Sequence, residues 1–211
     1  MLIFVCGPHC SGKTSLLEIL EREGLIDRRG PEIGKELYYR RRFSPDARPE
    51  AFELEVARRE LARDLAYQRL PGILGVETWH PGNLAYAAVR NPALLDELES
   101  LARRSPFLPA ARGIRLTVSR QAISARTRTF ASRRRWAADF YSAVDACMDD
   151  CLERLGLRDR VAVLDADGPL EAVAGAAREW LAVARREANS KVASGRESNI
   201  VSFCGKERGA S

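Results

Sequence analysis

An α/β fold with a central, mostly parallel five-stranded sheet is the class this sequence predicts, and three observations carry it. Short apolar runs at 2–6, 73–76, 113–118 and 160–164 alternate with longer segments of helical period, and a weak further strand falls within 25–34. The first run leads directly into Gly7-Pro8-His9-Cys10-Ser11-Gly12-Lys13-Thr14, which fits G-x-x-x-x-G-K-[ST] throughout. A helical pattern follows at once from Lys13 to Glu23, with Leu16, Leu17 and Leu20 on one face and Gly24 at its end.

The remaining elements follow from period and punctuation. Residues 35–43 read as a basic helix, Pro45 and Pro49 bound a loop, and 50–66 carries Leu54, Ala57, Leu61 and Leu65 at helical spacing. Pro71-Gly72 turns the chain into the strand 73–76, with Glu77 at its C-terminal end, and 82–89 is helical. Asn91-Pro92 opens a helix to about residue 103. After the strand 113–118, Ser119 caps a helix that enters an arginine-rich stretch. Trp136, Phe140, Val144, Cys147, Cys151 and Leu155 trace one face of a long helix closed by Gly156. Asp167-Gly168-Pro169 opens the last helix, with Val173, Trp180 and Leu181 inward. From about Ala188 the apolar period stops, so one domain over 1–187 and a flexible tail over 188–211 are expected. Within that tail, Ile200-Val201-Ser202-Phe203-Cys204 reads either as a short partner-binding segment or as part of an inert end.

Composition narrows the classes. The 211 residues are 45% hydrophobic, enough for one core. No apolar run approaches the roughly 20 residues that span a bilayer, so no membrane role is expected. Met1 to Cys6 has no basic region and too short an apolar run for a leader, which points to the cytoplasm. The five cysteines are odd in number and irregular in spacing, which argues against a disulfide framework. Cys147 and Cys151 read as core packing, with a zinc site the weaker reading, and Cys10 is either oxidisable or simply small enough for its loop. The net charge is +5, but no acid occurs between Glu99 and Asp139, a stretch that holds ten arginines. Removing those ten from +5 leaves −5, so the basic character is one segment, suited to phosphates.

The loop chemistry is specific. Successive backbone N–H groups must curl inward around an anion, and the helix N-terminus adds partial positive charge. Gly7, Pro8, His9, Cys10, Ser11, Gly12, Lys13, Thr14 and Ser15 are therefore the candidate ATP-binding residues of a Walker A P-loop. Lys13 reaches the β- and γ-phosphates, and Thr14 offers its hydroxyl to Mg²⁺.

Three further features resemble the P-loop nucleoside and nucleotide kinases, the thymidylate kinase, deoxynucleoside kinase and ribosylnicotinamide-kinase-like group, over roughly residues 1–185. Glu77-Thr78-Trp79-His80-Pro81-Gly82-Asn83-Leu84-Ala85-Tyr86 is similar to the segment after their third strand, with Thr78 where those families carry Arg. Pro31-Glu32-Ile33-Gly34-Lys35 resembles their second-strand acidic motif, with Lys35 in place of Arg. Arg120, Arg126 and Arg128, followed by Arg133-Arg134-Arg135, lie where the family carries its LID, roughly 120–136 here. The resemblance implies a P-loop NTPase three-layer sandwich with an arginine-rich LID, and it admits a homodimer.

It also implies roles. Glu32 is the first choice for orienting or deprotonating the attacking hydroxyl and Glu77 the second; Glu77 is equally a candidate for the Mg²⁺ site beside Thr14. Arg126 aligns with the first LID arginine, and Arg133 stands for the second group. Trp79 and His80 either line the acceptor pocket or serve the core. Asp165-Ala166-Asp167-Gly168 resembles the loop that packs on adenine, although a helix cap also accounts for Asp167. The expected activity is transfer of the ATP γ-phosphoryl group to a nucleoside, nucleotide or similar small hydroxyl metabolite. A nucleotide-sensing ATPase that works through its tail is the alternative. A nucleic-acid-binding ATPase is disfavoured by an aromatic content of 7% and the lack of a binding module.

Overall fold

The structure, a computed structural model, describes residues 1–41, 48–127 and 134–186. β1 (Leu2–Cys6) is buried at every position and forms the middle strand of a sheet. The others are β2 (Arg28–Arg29), β3 (Leu74–Glu77), β4 (Arg112–Thr117) and β5 (Val161–Asp165), in the order β2-β3-β1-β4-β5 with every pairing parallel. Parallel neighbours need crossovers, and an all-parallel sheet must be covered on both faces. The alternation along β1 shows how. Leu2, Phe4 and Cys6 enter one layer, and Ile3 and Val5 enter the other.

The second layer is built from α1 (Lys13–Arg22), α6 (Arg120–Thr127) and α8 (170–186). The first is built from α3 (Pro49–Tyr67), α4 (Trp79–Arg90), α5 (Leu95–Ala102) and α7 (Arg134–Arg154), with a 3-10 turn at Pro92–Leu94. α2 (Ile33–Arg41) packs through Ile33 and Leu37 on Phe52 and Val56 of α3. Each fully buried Leu or Phe in these layers contributes about 1.5–3 kcal/mol. The result is the α/β fold with a parallel sheet that the alternating pattern implied, in the three layers that the resemblance implied. No helix among the described residues is long and apolar enough to cross a membrane.

Several sequence expectations are corrected in detail. The face of α3 marked by Leu54, Ala57, Leu61 and Leu65 is buried at Ala57 and Leu61, but Leu54 is only partly covered and Leu65 is exposed. It also turns Phe52, Val56 and three acids inward: Glu60 and Asp64 pair with buried Arg63, and Glu53 with the half-buried Arg90. The face of α7 holds for Val144, Cys151 and Leu155, but Trp136 in its first turn is 58% exposed and stacks on Phe140 at 5.2 Å. Cys151 lies in the apolar core, and burial first pushes its thiol up to about 12.

Part of the arginine run is balanced by acids distant in the chain, and Arg103 by one four residues before it. Arg115 points from β4 to α7, with Asp149 at 2.8 Å and Asp145 at 3.6 Å. Arg120 pairs with Asp139, and Arg103 with Glu99. Of the expected LID, 120–127 is α6; Arg128 and Arg133 lie outside the described residues, as does the tail 188–211 with Ile200–Cys204.

Candidate active site

The chain leaves β1 at its C-terminal end and enters the loop Gly7–Gly12 before α1. Gly7 adopts φ +148°, and a Cβ there would lie 2.6 Å from the Leu116 carbonyl oxygen on β4, so only glycine passes between the strands. Cys10 and Gly12 also take positive φ, 62° and 92°, and together they curl the loop. Gly12 precedes the first turn of α1, which has no side-chain cap and no acid. Uncapped N–H groups at a helix start are an anion site.

The side chains of the loop fit a polyphosphate. Ser11 is buried and its Oγ has no protein partner. Lys13 is buried and donates to the carbonyls of Gly7 at 3.1 Å and Pro8 at 2.9 Å. Burial pulls the Lys13 ammonium below its ordinary pKa, and the charges of Glu32 and then Glu77 oppose that pull. His9 is exposed at the rim, with its ring 5.2 Å from Tyr141. Ser15 sits half-buried in the first turn of α1.

β3 brings in the second strand end. Val5 pairs with Glu77, and the Thr78 N–H donates to the Val5 carbonyl at 2.8 Å. The Thr14 hydroxyl donates to Glu77 Oε2 at 2.9 Å. Burial and then the charge of Glu32 raise the Glu77 carboxyl above its ordinary range, against the pull of Lys13 and the Thr14 hydrogen bond. Glu32 stands just before α2, with Lys35 Nζ 3.8 Å from Glu32 Oε2. Two carboxylates, one ammonium and one hydroxyl thus meet at the C-terminal ends of β1 and β3, where the strand order changes direction and open α/β sheets bind ligands. A hydroxyl and a carboxylate in this pairing suit Mg²⁺, which takes few protein ligands and keeps water.

The turn after Glu77 is strained. Thr78 has φ 63° and ψ −65°, and Trp79 has φ 53°. Such conformations cost about 1–3 kcal/mol each for residues with a Cβ. Trp79 and His80 do not line a pocket. Both are buried, and Trp79 Nε1 and His80 Nε2 lie 3.0 and 3.1 Å from Asp64 Oδ2 on α3.

Arg126 lies on the far rim. Its guanidinium donates to the carbonyls of Cys10 at 3.3 Å and Ala166 at 2.7 Å, bridging the phosphate loop and the loop after β5. Asp167 there accepts from the Ser119 N–H at 2.9 Å and so serves α6 rather than its own helix alone.

Sequence reasoning missed the wall beside the loop. Tyr86 and Arg90 of α4, Phe140 and Tyr141 of α7 and Phe52 of α3 gather there. Arg90 lies 5.3 Å from the Tyr86 ring and between 5.6 and 5.7 Å from Phe52 and Phe140. Its Nε is 2.7 Å from Glu53 Oε1. The Tyr86 ring is 6.5 Å from Tyr141, and burial raises its phenol, with neighbouring Tyr141 and then the charge of Glu32 adding to the shift. The spacing of Tyr86 and Arg90, one helical turn apart, was the signal available. An aromatic wall of this kind suits a planar ring.

Solved structures share this architecture. A thymidylate kinase from Candida albicans superposes with a TM-score of 0.63 over 87% of this chain and 92% of its own, at 14% identity. NadR, in complex with NR, gives 0.63 at 18% identity over 86% of this chain, which spans about half (49%) of that chain. Deoxyadenosine kinase from M. mycoides gives 0.56 at 10% identity over 90% of this chain and all (100%) of its own. The fold is that of the P-loop nucleoside and nucleotide kinases. No family model matches the sequence, and no curated protein matches it. In this kinase fold the loop Gly7–Thr14 and the strand-end acid Glu77 occupy the C-terminal edge of the sheet together.

Proposed function

We propose that the protein transfers the γ-phosphoryl group of ATP to a hydroxyl of a ring-bearing small molecule of the nucleoside or nucleotide class. The observation that carries this reading is the Thr14–Glu77 hydrogen bond at the phosphate loop, with Lys13 under the charges of Glu32 and Glu77 and the rings of Tyr86 and Tyr141 alongside.

The roles follow from the chemistry of each group. The loop N–H groups and the start of α1 hold the phosphates, and Lys13 turns from the Gly7 and Pro8 carbonyls to their oxygens. Thr14 and Glu77 hold Mg²⁺. When bound, Mg²⁺ supplies positive charge to the phosphate oxygens. Glu32 orients the acceptor hydroxyl and takes its proton as the new O–P bond forms and the bond from Pγ to the β-phosphate oxygen breaks, releasing ADP. Arg126 leaves its carbonyls to steady the donor, and Arg133 of the LID adds charge to the transferring group. Little covalent work falls to the protein; positioning and charge do most of it.

The test is ADP release by the purified chain with Mg²⁺, with each nucleoside and nucleoside monophosphate supplied separately. Acceptor-dependent ADP that disappears in Lys13→Ala is the expected result. ADP release that no acceptor changes would overturn the proposal and favour a nucleotide-sensing ATPase.

A further inference from the structure

The turn that carries Glu77 into the site is held from behind by one carboxylate. Thr78 and Trp79 both sit at positive φ, and a β-branched residue there persists only where its surroundings fix it. Asp64 supplies that fixation from α3. Its side chain is completely buried. Its Oδ2 accepts from Trp79 Nε1 at 3.0 Å and from Ser105 Oγ at 2.5 Å, and lies 3.1 Å from His80 Nε2. Its Oδ1 accepts from Arg63, which also pairs with Glu60. The two residues that follow Thr78 are thus tethered to a single oxygen.

The opposite side of the turn is closed by Gly82. A Cβ there would lie 2.6 Å from Thr78 Cγ2, so the Thr78 methyl occupies the space that any other residue would fill. Between Asp64 and Gly82 the turn has one place to sit, and Glu77, one residue earlier, keeps its hydrogen bond to Thr14.

We propose that Asp64 is a positioning residue for the phosphoryl-transfer site: it holds the Thr78–Trp79 turn from α3 so that Glu77 stays aimed at Thr14, the pair that would hold the metal. This rests on the reading of Glu77 and Thr14 given above. Asp64 touches neither nucleotide nor metal and acts only through the turn. A carboxylate serving the core alone would affect folding and leave metal-dependent binding untouched. A positioning carboxylate makes Asp64 and Glu77 energetically one unit.

The experiment uses the full chain and Mn²⁺ as the probe, with ATP binding measured in Mn²⁺ and again in EDTA, for wild type, E77Q, D64N, W79F, G82A and the double variant D64N/E77Q. Expected is a loss of roughly tenfold in the Mn²⁺-dependent part of ATP affinity for E77Q and for D64N, as is usual when an outer partner of a metal site is removed. For D64N, ATP binding in EDTA stays at the wild-type value, and in Mn²⁺ the double variant loses no more than E77Q alone. G82A shows a loss of the same kind, because it pushes Thr78 from the other side.

Should D64N fail to fold, W79F decides, since it keeps an aromatic ring in the core, though a smaller one, and removes one donor to Oδ2; a lowered Mn²⁺ increment is expected. The proposal is overturned if E77Q is impaired while D64N, or W79F in its place, binds Mn²⁺·ATP as wild type. It is also overturned if the D64N and E77Q losses multiply. An unimpaired E77Q would instead remove the metal role given to Glu77, and the positioning role would fall with it.

Discussion

Thr14 and Glu77 lie 63 residues apart in the chain and meet through a 2.9 Å hydrogen bond from the Thr14 hydroxyl to Glu77 Oε2. One belongs to the helix after β1 and the other to the end of β3, so the bond measures how the sheet register brings two motifs to one point.

Burial and the Glu32 charge raise the Glu77 carboxyl, so it gains a proton at higher pH than an ordinary glutamate. A metal requires the ionised form. Mg²⁺-dependent ATP binding is therefore complete above the raised value and lost as pH falls through it, earlier than an unperturbed carboxylate of about 4.3 would allow. Calorimetric titration of Mg²⁺·ATP across this range checks the limb. In E77Q, binding is weaker throughout and this acid limb is gone.

Lys13→Ala removes the one buried ammonium that faces the loop carbonyls and the two carboxylates. Acceptor-dependent turnover falls by roughly 10²–10³-fold, the usual loss for a charge-stabilising donor in a preorganised site. The melting temperature changes little, because the ammonium costs desolvation that its two carbonyl bonds only offset. Steady-state rates and thermal melts together separate the chemical loss from unfolding.

Arg126 joins Cys10 to Ala166 through carbonyls and is the one described arginine at the loop rim that the fold leaves on backbone acceptors rather than on a carboxylate. Arg126→Ala raises the KM for ATP by about 10–100-fold, in line with the loss of charge-assisted hydrogen bonds. Arg126→Lys restores only part of it, since one ammonium nitrogen replaces the two separate guanidinium nitrogens that reach Cys10 and Ala166. Initial rates at varied ATP give the answer.

Gly113 of β4 lies beside Phe4 in register, and a Cβ there would sit 2.2 Å from Phe4 Cζ. Phe4 is fully buried and cannot swing to solvent. Gly113→Ala therefore destabilises the protein by about 1–3 kcal/mol through overpacking. A chain of this size then melts roughly 2–4 °C lower per kcal/mol.

The phosphate loop was legible because its function is local. Gly7, Gly12, Lys13 and Thr14 must follow a strand and open a helix within eight residues, and the chain itself provides that order. Glu77 was legible for a related reason, as an acid at a strand's end. The buried acids of α3 were not. Period and hydropathy place Glu53, Glu60 and Asp64 in water, and only the partners Arg90, Arg63, Trp79, His80 and Ser105, brought from other elements, make their burial affordable.

The arginine run shows the same division. Along the chain it has no acid near it, and its charge alone suggests a phosphate-binding surface. In the fold Arg115 turns to Asp145 and Asp149 and Arg120 to Asp139, while Arg126 reaches the phosphate loop. By itself the sequence determined the parallel α/β class, the P-loop and the acid at the end of β3, since each is set by period and short-range order. Tertiary structure alone decided which arginines are held in ion pairs and which rings stand beside the loop. It also decided that Trp79 and His80 serve Asp64, because burial and pairing depend on neighbours that sequence distance does not reveal.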